Sequence, residues 1–110
     1  MKLTSLSETP ETDVSHNAAI KRKRMIEFGE VAHLTNFSKA TFPPGEIAWA
    51  HSHDDMVEVF FVLSGEATMV VNDEPYALTQ GSCIKIDCGE SHELQNTGST
   101  PLEVLYFGVI

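Results

Sequence analysis

From Met25 onward the chain is written as short β-type runs broken every few residues by turn signals, a texture that leaves room for little except an all-β fold. The expected strands are Val31–Thr35, Phe37–Phe42, Ile47–His53, Val57–Ser64, Ala67–Val71, Pro75–Leu78, Ser82–Ile86, His92–Asn96 and Leu102–Gly108. Pro43-Pro44-Gly45, Asp54-Asp55, Gly65-Glu66, Asn72-Asp73, Gly81 and Asn96–Pro101 punctuate them with residues that favour turns over strands. No helical period runs long enough to compete, so a sandwich or barrel follows. The first stretch is different. It is rich in Ser, Thr, Glu, Asp and Asn and reads as a loosely draped arm. The chain thus divides into a polar arm with a basic run, residues 1–24, and a barrel, residues 25–110.

Two of the strands, around Val57–Leu63 and Val104–Phe107, do not alternate and should be buried on both faces. Glu58, Phe60 and Val62 then share one face and line the barrel, while Val59, Phe61 and Leu63 point outward and need cover. The chain's own N-terminal segment or a second copy could supply it. Symmetric dimers are the commonest soluble assemblies, and a homodimer is the expectation.

Residues with coordinating side chains fall at telling places on these strands. In an extended strand positions i and i+2 share a face, so His51 and His53 present two ring nitrogens side by side. A turn at Asp54-Asp55 would bring Glu58 back on the neighbouring strand, facing them. Neutral imidazole and carboxylate are good ligands for first-row divalent metals. Taken alone, the His-x-His pair fits two satisfied strand histidines equally well.

The longer pattern changes that balance. Gly45, His51, His53, Glu58 and Gly65, followed by Gly81, Gly89, His92 and Asn96, resemble the two motifs of the cupins, Gly-x5-His-x-His-x4-Glu-x6-Gly and Gly-x5-Pro-x-Gly-x2-His-x3-Asn. Nine of ten positions agree, Asp87 standing where cupins usually carry Pro, and Asp87 is expected to cap the turn through its own side chain. The resemblance is to small single-domain cupins and implies a double-stranded β-helix, or jelly-roll barrel. It also implies one divalent transition metal (Fe, Mn, Ni, Co, Cu or Zn) held by His51, His53, Glu58 and His92. Glu58 is the candidate catalytic residue, able to stay a ligand or to act as a general base.

Phe60, Val62, Phe107 and Trp49 are the candidate substrate-binding wall, Trp49 fitting the core equally well. Cupins with this ligand set include dioxygenases, and a metal-dependent oxygenase or dioxygenase acting on a small organic substrate is the favoured function. The alternatives are a non-redox isomerase, lyase or decarboxylase, and a non-enzymatic small-molecule-binding cupin. Anionic substrates are disfavoured for want of basic residues inside the barrel; Lys85, the one candidate in the second motif, should point outside by alternation.

Composition sets the remaining bounds. A net charge of −9 argues against nucleic acid and anionic membrane as partners. Lys21-Arg-Lys-Arg24 gathers four of the seven basic residues and reads as a solvated edge. Cys83 and Cys88, five apart, fit neither a local disulfide nor a zinc pair, and read as buried small hydrophobes with Cys88 near the metal pocket. With no long apolar run at the N-terminus or elsewhere, a cytoplasmic setting is expected.

Overall fold

Alternation decides which side of each strand is buried. In the strand His92–Asn96, residues His92, Leu94 and Asn96 are buried while Glu93 and Gln95 between them stay half-buried. Repeated along the chain, this pattern yields two antiparallel sheets. The computed structural model describes residues 1–14 and 17–110. Its strands are β1 (Glu11–Val14), β2 (Asn17–Ile26), β3 (Leu34–Phe42), β4 (Ile47–His51), β5 (Val57–Ser64), β6 (Ala67–Val71), β7 (Glu74–Leu78), β8 (Cys83–Ile86), β9 (His92–Asn96) and β10 (Leu102–Val109).

One sheet has the order β1-β2-β3-β10-β5-β8 and the other β4-β9-β6-β7, the jelly-roll arrangement expected. Inward residues of both sheets meet in one core, with Ile20, Phe42, Val62, Leu102 and Val104 from the larger sheet against Met69 and Leu94 from the smaller.

Strands β5, β6 and β9 occupy the residues expected of them. The N-terminal region does not. In place of a draped arm, β1 and β2 extend the larger sheet, with Lys21↔Thr41, Arg22↔Ala40 and Lys23↔Lys39 in register between β2 and β3. Only one position of this polar stretch needs to be apolar for the strand to anchor, and Ile20 fills it, fully buried. The strand expected at Val31–Thr35 is also absent. Gly29 and His33 both take positive φ, which breaks extension, and β3 begins at Leu34.

The turn from β5 to β6 shows how tightly the sheets are joined. Gly65 has φ +92°, and a Cβ placed there would lie 2.7 Å from the backbone oxygen of Pro101. Gly45 has a similar φ of +83° but open space around it. Gly65→Ala should therefore destabilise more than Gly45→Ala, adding a backbone clash to a strain on the order of 1–3 kcal/mol. Equal unfolding midpoints for the two variants would show that the close approach to Pro101 is dispensable.

Candidate metal centre

Four side chains from three strands and the loop after β4 converge at one end of the barrel. His51 and His92 are register partners on the adjacent strands β4 and β9, with ring centroids 4.4 Å apart. His53 follows the end of β4, and its ring stands edge-on to His51 at 5.0 Å. Glu58 does not return on a neighbouring strand as the Asp54-Asp55 turn suggested. The chain crosses from one sheet to the other, and Glu58 on β5 meets the histidines across the barrel. One ligand atom from each of His51, His53, Glu58 and His92 lies within 4.8 Å of the others.

The hydrogen bonds around these rings choose which nitrogen faces inward. His51 Nδ1 lies 2.9 Å from the Trp49 carbonyl and His92 Nδ1 lies 3.1 Å from the Glu90 carbonyl. A carbonyl only accepts, so each Nδ1 donates and its Nε2 is the nitrogen turned to the site, as in many metal-bound histidines. Glu58 Oε1 sits 3.0 Å from His92 Nε2 and 3.3 Å from His53 Nε2. Three imidazoles and one carboxylate, with backbone acceptors fixing the Nδ1 protons of His51 and His92, fit a first-row divalent ion.

Backbone bonds tie the two halves of the site together. The Gly89 amide donates to the His53 carbonyl at 2.7 Å, and the Gly45 amide donates to the Asn96 carbonyl at 3.2 Å. Asn96 Nδ2 donates to the Phe42 and Thr100 carbonyls, both at 2.9 Å, and its Oδ1 accepts from the Gly98 amide. That buried amide is a structural clamp on the strand that carries His92. At the turn before His92, Asp87 does not cap with its own carboxylate. Glu90 Oε1 accepts from the Asp87 amide at 2.7 Å, and the Asp87 side chain pairs with Lys85 outside the barrel.

The ligands open onto a cavity of about 620 Å³, within the usual range for small-molecule sites. Trp49 and Phe60 line it; Trp49 is 62% exposed and therefore a wall of the mouth rather than core. Val62 faces inward but is packed in the core beyond the cavity. Phe107 points the other way. Its register with Val59 and Phe37 puts it on the outer face, and Tyr106 takes the inward place, stacked on Phe60 at 5.7 Å.

Cys83 and Cys88 are exposed and do not line the cavity, because Cys83 lies on the outer side of β8 opposite Phe61 and Cys88 in an open turn. Lys85 is outside, as alternation required. The expectation of a barrel interior without basic groups fails: Arg22, from β2, lines the cavity.

Burial by itself would lower the pKa of His92, but the hydrogen bond to Glu58, the Glu90 carbonyl and the two nearby carboxylates outweigh it and raise the pKa. In the metal-free protein that proton stabilises the fold below the ordinary value of 6.5 and is lost as pH rises through the raised one. Metal binding runs in the opposite sense, since an ion needs the neutral ring. Affinity for metal should begin to fall with acidification above the pH at which an ordinary histidine titrates. Chelator competition across a pH series checks it; affinity constant from neutral to strongly acid solution would contradict histidine ligation.

Comparison with known proteins agrees with this geometry. The cupin domain family model matches residues 38–108, and the chain belongs to the cupin family. It is 33% identical over 86 residues to the oxalate-binding protein of Thermotoga maritima, an alignment spanning 69% of this chain and 71% of that one. The fold superposes on the crystal structure of a predicted oxalate decarboxylase from Thermotoga maritima with a TM-score of 0.91 at 24% identity, covering 99% of both chains. It also superposes on a cupin sugar phosphate isomerase from Silicibacter pomeroyi with a TM-score of 0.85 at 15% identity, covering 99% of this chain and 76% of that one.

Proposed function

We propose that this cupin binds one divalent transition ion (Fe, Mn, Ni, Co, Cu or Zn) on His51, His53, Glu58 and His92, and acts on a small oxygenated organic molecule as an oxygenase or dioxygenase. The observation that carries the reading is the convergence of four donor atoms within 4.8 Å at the wall of a cavity large enough for such a molecule. A bound ion would supply Lewis acidity and, if redox-active, a site for dioxygen chemistry.

The chain supplies the rest. Trp49 and Phe60 form an apolar wall that excludes water and orients the ligand, and Glu58 is placed to hold or accept a proton beside His92. A non-redox reading, as an isomerase, lyase, decarboxylase or binding protein, is favoured by one observation, the similarity to an oxalate-binding protein. Metal analysis of anaerobically purified protein, followed by oxygen-uptake screening, separates them. Iron or another redox metal with ligand-dependent oxygen uptake supports the oxygenase; full metal and ligand binding without uptake moves the function to the second reading.

The proposal includes a homodimer in a reducing compartment such as the cytoplasm. Both thiols are unpaired, which is compatible with such a compartment. On the outer face Phe61 is 38% exposed beside half-buried Val59, Leu63, Leu105 and Phe107. Covering such side chains fully is worth ~1.5–3 kcal/mol each. Light scattering at micromolar concentration should give twice the 12.1 kDa chain mass, with Phe61→Glu shifting it to the monomer; a wild-type monomer defeats this part of the proposal.

A further inference from the structure

The four residues of the basic run meet different fates. Lys21 pairs with Asp13, Lys23 donates to the Leu6 carbonyl at 2.8 Å, and Arg24 pairs with Glu27. Arg22 turns inward. It stands directly opposite Ala40, a cavity-lining residue only 2% exposed, and two positions from the fully buried Ile20. Its Nε is buried without a hydrogen-bond partner, and among the described residues no carboxylate pairs with it. The side chain as a whole is half-buried. A guanidinium does not shed its proton, so its charge persists at the cavity wall, and its buried Nε–H is costly to leave unmet.

We propose that Arg22 is the anion anchor of the cavity: it receives a carboxylate of the ligand whose other oxygens meet the metal centre. The inference rests on the metal-dependent reading above and names its ligand class, a small organic acid. Charge points the same way. Among the described residues Glu58 is the one carboxylate lining the cavity, and it is engaged by His53 and His92. With a divalent ion in place, one carboxylate faces both an ion and a guanidinium, leaving the cavity positive although the chain carries −9. An anionic ligand restores the balance, and the guanidinium fork matches a carboxylate in two parallel hydrogen bonds. The competing use of Arg22 is structural. Thr12, its register partner in β1, also has a buried hydroxyl without a partner, and the two could simply bond to each other.

Calorimetric titration of metal-loaded and metal-free protein with oxalate, malonate and their neutral diamides distinguishes these uses. Arg22→Gln should keep its metal content and weaken carboxylate binding roughly ten- to a hundredfold, the usual range for losing hydrogen bonds to a charged group. Binding of the diamides should not change. Arg22→Lys, which keeps the charge without the fork, should recover part of the loss and serves if the Gln variant folds poorly. Unchanged carboxylate affinity in Arg22→Gln at full metal content overturns the proposal, as does an equal loss for acids and diamides. Arg22-dependent carboxylate binding by a protein that takes up no metal would instead uphold the anchor and overturn the metal reading. Absence of carboxylate binding in both forms of the wild-type protein overturns the anchor alone.

Discussion

Replacing His51 and His53 together with Ala should leave the protein folded and nearly free of metal. His51 is exposed and His53 only half-buried, so neither belongs to the packed core and little stability goes with them. What remains is Glu58 and His92, two donors that already satisfy each other at 3.0 Å. Losing even a residue that merely orients a ligand typically costs 10–100-fold in metal affinity, so losing two ligands should exceed ~100-fold. Elemental analysis after dialysis reads the occupancy, and a thermal melt confirms the fold. Full occupancy in the double variant would sink the four-residue centre and send the search elsewhere in the barrel.

The site could be read from sequence because its ligands sit at strand positions whose spacing has geometric meaning. His51 and His53 do share a side of the chain, and Glu58, Phe60 and Val62 do share the inner face of β5. What spacing could not give was the path between them. A turn at Asp54-Asp55 is compatible with a hairpin and with a crossover to the other sheet, and nothing local to those residues distinguishes the two. The same holds for Asp87, whose carboxylate had two uses within reach. Lys85 claimed it, and Glu90 capped the turn instead.

The harder failure was β2. Asn17–Ile26 carries four basic residues in a row and its apolar residues do not alternate, so the strand is hard to tell from an arm when only one of those residues, Ile20, is buried. Taking the run as an arm hid the alternation that sends Ile20 and Arg22 inward together. It therefore removed the cavity's only guanidinium from view among the described residues. Phe107 shows the converse error. A strand apolar on both faces offers two candidates for the pocket, and only the register with β5 decides that Tyr106 faces it.

Glu58→Gln should separate holding the ion from using it. The change keeps size and removes the one carboxylate that lines the cavity among the described residues. Three imidazoles can still form a facial set, so metal should be retained, bound more weakly than before. If Glu58 moves a proton during the reaction, turnover should fall on the order of 10²–10⁴-fold, the usual contribution of a positioned acid or base. The structure gives a reason to expect the larger effect here: Glu58 is 8% exposed, and among the described residues no other lining carboxylate stands ready to take its place. Its hydrogen bond to His92 and its contact with His53 also mean that Glu58→Ala would leave two ring nitrogens without that neighbour at once, which makes Gln the cleaner substitution. Turnover at the wild-type rate with full metal would withdraw the acid–base role and leave Glu58 as a ligand only. A loss confined to metal content, with turnover per bound ion unchanged, would lead to the same conclusion from the other side.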